Sequence, residues 1–132
     1  MERERKSERV ISEATLDRYL CAILILGEQR SPVRSVDVAQ HMGCSKAYVS
    51  VALKQMTRDA LVRVERQGAL ALTDEGLRRA VARRERQDYF RRLLTRSGVD
   101  APSAEREAQA VSHALSAPSF DALRRYLENW KI

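Results

Sequence analysis

The chain has 132 residues, enough for one compact domain or a small domain with a helical extension, and 44% of them are hydrophobic, which excludes wholesale disorder. Twenty-four Lys and Arg against 18 Asp and Glu leave a net charge of +6, a balance that favours a polyanionic partner. The two cysteines, Cys21 and Cys44, have neither zinc-site nor disulfide-framework spacing; the charged start excludes a signal peptide and Leu20 to Leu26 is too short to span a bilayer, so a reducing, cytoplasmic setting with no membrane partner is expected.

Residues 1–11 read as a loosely ordered charged arm. From Ser12 the apolar residues Leu16, Leu20, Ile23 and Leu26 recur at helical spacing, with Gly27 as the expected end. The segment 35–42 predicts a short helix with Val36, Ala39 and Met42 inward, closed by a Gly43-Cys44 turn. Ser45 then occupies an N-cap position, and the next helix is expected to run on through 59–62, burying Val49, Ala52, Leu53 and Met56. Alternation around Gln67-Gly68 predicts a two-stranded hairpin over 61–72. Thr73 caps a long helix to about Arg96, whose apolar face is Leu77, Ala80, Val81, Phe90, Leu93 and Leu94 and whose middle, 83–88, has no apolar residue. Two shorter helices follow, one carrying Ala104, Ala108, Val111 and Leu115, the other Phe120, Leu123, Leu127 and Trp130.

This order is that of a mostly α protein: a winged helix-turn-helix DNA-binding domain over 12–73 and a helical domain over 74–132. A helix that enters the major groove needs small or polar residues near its N-terminus. Ser45, Lys46, Tyr48 and Ser50 stand there, with Lys54 further along, and Arg63 and Arg66 sit on the wing. Tyr48 has a second reading, as a packing residue against the wing. Double-stranded DNA is the expected partner. An enzyme is not expected: neither His41 nor His113 has a nucleophile and an orienting acid in a sequence motif, and the glycines are scattered at turns rather than forming a phosphate loop.

With these elements placed, the run from Asp17 to about Ser116 resembles the metal-dependent repressors of the diphtheria toxin repressor and manganese transport regulator family. The matching pieces are RYLCAILIL, VAQHMGCSKAYVSVALKQMTRDALV, the wing ending in LALTDEG, the RRLLTRSGVD turn and HALS, about three quarters of the chain. The resemblance implies a homodimer, with 74–132 as the dimerisation part, and a length like that of the short manganese branch. It also implies Mn²⁺ or Fe²⁺, held by side chains of the first helix, the long helix and the helix after SGVD. At those positions this chain carries Arg18, Cys21, Gln87, Arg91, Glu105, Gln109, Ser112 and His113, and only His113 keeps the family's residue. One His, one Glu and a thiol beside two guanidiniums are a poor set for a divalent cation. No cofactor is therefore expected from the residues themselves. The leading expectation is a transcriptional regulator, a repressor by resemblance, no longer controlled by metal at this site, with Arg18 or Arg91 paired to Glu105 in the metal's place. The alternatives are an Mn²⁺- or Fe²⁺-responsive repressor with a weak or altered site, and a helical dimer serving as a protein-interaction module. Oxidative control through Cys21 is a further option.

Overall fold

The computed structural model describes residues 11–130. Along them run α1 (Glu13–Gln29), α2 (Ser35–Met42), α3 (Lys46–Arg58), strands β1 (Val62–Val64) and β2 (Leu70–Leu72), then α4 (Asp74–Arg96), α5 (Ala101–Ala114) and α6 (Ala117–Glu128). The chain is mostly helical with one small antiparallel wing, and it divides within α4 into a unit ending at Ala82 and a unit beginning at Arg83.

The first unit is built on α1. Its Leu16, Tyr19, Leu20, Ile23 and Leu26 are buried against Val38 and Ala39 of α2 and Val49, Ala52 and Met56 of α3. Ser12 caps α1, its hydroxyl oxygen accepting the Thr15 N–H at 3.1 Å. Gly27 does not end the helix as expected. It lies on the exposed side, and the Arg30 N–H still reaches the Leu26 carbonyl at 2.9 Å. The stop comes from Pro32, whose ring disfavours a helical residue before it. In α2 the buried pair is Val38 and Ala39, while Val36, expected inward, is 40% exposed. The stripe is 38, 39 and 42, and Val36 falls outside it. The arm lies outside the described residues except for Ile11, which is buried rather than loose. Gln55, itself buried on α3, accepts the Ile11 N–H at 2.9 Å and donates to the Ile11 carbonyl at 3.0 Å.

Helix α3 stops earlier than the sequence suggests. Ala60 adopts φ 59°, the Ala60 N–H reaches Thr57 O at 3.1 Å and the Leu61 N–H reaches Met56 O at 2.8 Å. This is a Schellman closure with alanine at the position that usually needs glycine. The chain then enters β1, paired with β2 in the register Val62 with Leu72, Arg63 with Ala71 and Val64 with Leu70, and turns through Gln67 (φ 58°) and Gly68 (φ 77°). Thr73 begins α4 and closes a knot. Its N–H donates to Leu61 O at 3.0 Å, its hydroxyl donates to Ala60 O at 2.7 Å, and the same oxygen accepts the Gly76 N–H at 3.0 Å. A Cβ at Gly76 would overlap the Leu61 carbonyl, so only glycine allows this approach.

In the second unit Phe90, Ala108 and Phe120 are buried, with Tyr89, Leu94, Val111, Leu115 and Leu123 packed against them. Tyr89 meets Phe90 and Phe120 edge-on, with centroids 5.5 and 5.6 Å apart. Asp100 caps α5 by accepting the Ser103 N–H at 3.0 Å, and Ser116 caps α6 by accepting the Ser119 N–H at 3.2 Å. Leu77 and Val81, in the part of α4 that belongs to the first unit, and Leu93, in the second, were expected on a buried face and are 43, 38 and 36% exposed. Trp130 lies past the end of α6 and is 56% exposed, so it does not complete that helix's buried face.

Gly76→Ala is expected to destabilise the protein by about 1–3 kcal/mol through overpacking against Leu61. Ala60→Gly is expected to stabilise it by up to about 1 kcal/mol by relieving the left-handed alanine. Urea unfolding measures both, and equal midpoints for all three proteins would refute the knot's role. The Ser103 N–H holds the Asp100 carboxyl below its ordinary range. A depressed carboxyl stabilises the fold fully above the unfolded value, about 3.9, and loses that contribution as pH falls through the folded value. The penalty of Asp100→Ala in urea is therefore expected to be constant near neutrality and to shrink below about pH 4.

Candidate functional site

The residues expected at DNA are all on the surface of the first unit. Lys46, Ser50 and Lys54 are exposed on α3, and so is Ser45 at its cap. The Ser45 oxygen accepts the Tyr48 N–H at 3.1 Å, so this side chain holds the helix start as well as facing solvent. Tyr48 is 47% exposed, and it packs on the Tyr19 ring, with centroids 6.2 Å apart. Tyr19 is 1% exposed and its hydroxyl lies 3.6 Å from the Cys44 sulfur. Burial, then the contact with Cys44, pushes the Tyr19 pKa up, so the ring under Tyr48 is neutral.

On the wing, Arg63 and Arg66 are exposed, and Arg63 lies 3.5 Å from Glu65. Sequence reasoning missed Arg34. Its Nε donates to Gln67 O at the wing tip at 2.9 Å, while the Leu70 N–H donates to Val33 O at 2.8 Å. The segment before α2 thus braces both the tip and the second strand of the wing. Asp37 secures that segment in turn, accepting the Arg34 N–H at 2.8 Å and Arg30 at 2.6 Å.

The second group of expected site residues is divided between the units. Arg18 and Cys21 stand on α1; Cys21 is buried, and the Arg18 Nε is buried with no hydrogen-bond partner among the described residues. Gln87 and Arg91 are on α4; Glu105, Gln109, Ser112 and His113 are on α5. Arg91 donates to Asp88 at 2.9 Å and its Nε lies 3.8 Å from Glu105. Ser112 is buried and donates its hydroxyl proton to Gln109 O at 2.9 Å. His113 Nε2 contacts the guanidinium of Arg83, which is 5% exposed.

Arg83 and Arg86 are functional candidates that the sequence reading passed over inside the polar stretch 83–88. Arg86 donates to Leu115 O at 2.9 Å and to Ser112 O at 3.3 Å, and its guanidinium carbon lies 5.5 Å from the centre of the Phe120 ring. It thereby satisfies carbonyls left open at the end of α5 and places a cation at that helix's negative pole. The one sequence signal was the polar run itself, on a helix otherwise carrying apolar residues on either side.

The architecture is that of a winged helix-turn-helix unit followed by a helical unit. No protein-family model matches the chain. It is 29% identical over 113 residues to the transcriptional regulator MntR of Escherichia coli O6:H1, an overlap of 86% of this chain and 73% of that one. A manganese-dependent transcriptional repressor in complex with manganese superposes with a TM-score of 0.75 at 25% identity, over 86% of this chain and 52% of the repressor. The manganese regulator SloR has the same fold, with a TM-score of 0.75 at 23% identity over 89% and 55%. The chain thus spans about half the length of these solved structures. Over most of its length the chain is thus similar to MntR regulators, at identities below 30%. These relatives are transcriptional regulators, not enzymes, and among the described residues no helix is long and apolar enough to cross a membrane.

Arg86→Met keeps the apolar stem and removes the donors to α5. A loss of about 2 kcal/mol in urea unfolding is expected, the scale of charge-assisted bonds to carbonyls. A loss under about 0.5 kcal/mol would show that water replaces the guanidinium without penalty.

Proposed function

We propose that the chain is a DNA-binding transcriptional regulator that acts as a homodimer and binds DNA without Mn²⁺ or Fe²⁺. The observation that carries DNA binding is the surface of α3. Ser45, Lys46, Ser50 and Lys54 are all exposed on a helix whose opposite side, Val49, Ala52 and Met56, is the core. A braced wing with Arg63 and Arg66 accompanies it, and the net charge of +6 suits a polyphosphate. The names of the relatives agree with this reading. The half-exposed Leu77, Val81 and Leu93 on α4 support self-association through residues 74–132. Two recognition helices in such a dimer would sit about 34 Å apart, one turn of DNA, or a multiple of it.

Metal independence rests on the chemistry of the donor set, which does not fit a divalent cation. Two positions that the resemblance assigns to ligands are the permanent cations Arg18 and Arg91. His113 Nε2 lies against the Arg83 guanidinium, and no group of three His, Cys, Asp or Glu side chains stands close enough among the described residues to hold a metal. The pairing of Arg91 with Glu105 is loose, whereas Arg83 and Arg86 grip α5 directly. In this reading those guanidiniums, more than Arg18, provide the built-in positive charge.

A shift assay on a duplex enriched from a random pool is expected to give the same affinity within about twofold with Mn²⁺, with Fe²⁺ and with EDTA, and an affinity that falls steeply with salt. Lys46→Ala is expected to weaken all duplexes alike and to lower the salt slope by about 1. Loss of binding in EDTA with recovery in Mn²⁺ would overturn metal independence. A monomer at micromolar concentration in sedimentation would overturn the dimer.

A further inference from the structure

The second unit holds a cavity of about 480 Å³ between the last turns of α4 and α6, a size that suits a small molecule. Its α4 wall is one face of the helix: Tyr89, Arg92, Leu93 and Arg96 fall at i, i+3, i+4 and i+7. Leu127, Glu128 and Trp130 form the other wall. Tyr89 is held in place by its edge-on contacts with Phe90 and Phe120, and Trp130 rests on Tyr126 with centroids 5.8 Å apart. The charges are the unusual part. Arg92, Arg96 and Glu128 share the cavity and are exposed, yet among the described residues none of them has an ion-pair or hydrogen-bond partner. Other arginines of these two helices are engaged: Arg91 with Asp88 and Glu105, Arg86 with the carbonyls of α5, Arg124 with Asp121.

We propose that this cavity binds a free amino acid with a large apolar side chain, its carboxylate on Arg92 and Arg96, its ammonium on Glu128 and its side chain between Tyr89, Leu93, Leu127 and Trp130. A simple anion would meet the two arginines, but also Glu128 and the negative poles of two helix C-termini, each about half a charge. A simple cation would meet the arginines as like charges. A zwitterion finds an opposite charge for each of its groups. The carboxylate suits the planar fork of a guanidinium, and the ammonium donates to the Glu128 carboxylate. The apolar side chain leaves water against two aromatic rings and two leucines. A helix from a second copy is a poorer occupant, because it would cover three charges without giving each a partner. The site stands whether or not α3 binds DNA.

Trp130 is the chain's only tryptophan, so its emission reports on this cavity directly. The full chain is excited at the red edge of tryptophan absorption and titrated with L-phenylalanine, which is transparent there. Hydrocinnamate, which lacks the ammonium, phenethylamine, which lacks the carboxylate, and glycine, which lacks the ring, are titrated alongside. L-Phenylalanine is expected to give a saturating change in emission, and each of the other three to bind about fivefold more weakly or worse, the scale of one exposed charge pair. Glu128→Gln is expected to bind L-phenylalanine and hydrocinnamate alike, and the double variant Arg92→Gln, Arg96→Gln to bind L-phenylalanine and phenethylamine alike. Circular dichroism checks that both variants fold; the ligand series on the parent decides the matter without them. No saturating change with L-phenylalanine, in emission or in titration heat, overturns the proposal and leaves the DNA-binding reading intact. Hydrocinnamate bound as tightly as L-phenylalanine overturns the zwitterion, and phenethylamine bound as tightly overturns the role of the arginines. A response present in dilute protein and lost in concentrated protein shows that a second copy fills the cavity, and overturns the proposal too.

Discussion

Thr73 and Gly76 impose the constraint on which the first unit depends. Within a few residues the end of α3, the start of β1 and the first turn of α4 meet at two carbonyls, those of Ala60 and Leu61. Thr73 serves both carbonyls and caps its own helix, and Gly76 permits the approach by having no side chain. Each bond alone is worth about 1 kcal/mol, but they share atoms, so one cannot shift without the others. The wing is consequently held at both ends. Its base is fixed to the end of α3, and its tip and second strand are fixed by Arg34 and Val33. A surface meant to meet a rigid duplex gains from such bracing, because loops that must be ordered on binding reduce affinity.

The second unit solves a different problem with arginine. The carbonyls at the end of α5 need donors, and Arg86 reaches them from α4 while Arg83 occupies the imidazole of His113. Burying a guanidinium is costly unless its donors are used, and Arg86 directs its own at the Leu115 and Ser112 carbonyls. The unit is thereby tied by charge that is covalent to the chain. A bound cation could make a similar tie, but its occupancy would depend on concentration and on ligands free of protons and other partners.

The helix order, the wing and the polar middle of α4 were all legible in the sequence, because they follow from periodicity and from Ser, Thr and Asp at caps. The misses have local causes. Gly27 looked like a terminator, yet glycine lowers helix propensity by only about 1 kcal/mol, and Pro32 decides the end. The residues after Arg58 looked helical because Ala60 is a good helix former; its left-handed turn is imposed by the bonds from Ala60 and Leu61 back to Thr57 and Met56, which no local pattern reports. Val36 was expected inward because its spacing to Ala39 and Met42 is helical, but the stripe is shifted to include Val38. At the surface of α3 the polar candidates were found by type.

In the proposed reading, two exposed surfaces bear on control. One is the proposed self-association surface along α4, with Leu77, Val81 and Leu93, and the other is the proposed DNA surface of α3, with Ser50, Lys54 and Arg58. A ligand shifts an equilibrium only by its differential affinity for the two states. If the positive charge that organises the second unit belongs to Arg83 and Arg86, the metal activity of the surroundings has no such differential to act on. DNA occupancy would then follow the protein's own concentration through dimer formation, steepened by mass action, and ionic strength through the phosphate contacts of Lys46 and the wing arginines. Control would pass from a bound ion to the two surfaces themselves: one sets how much dimer exists, and the other sets how tightly it holds DNA.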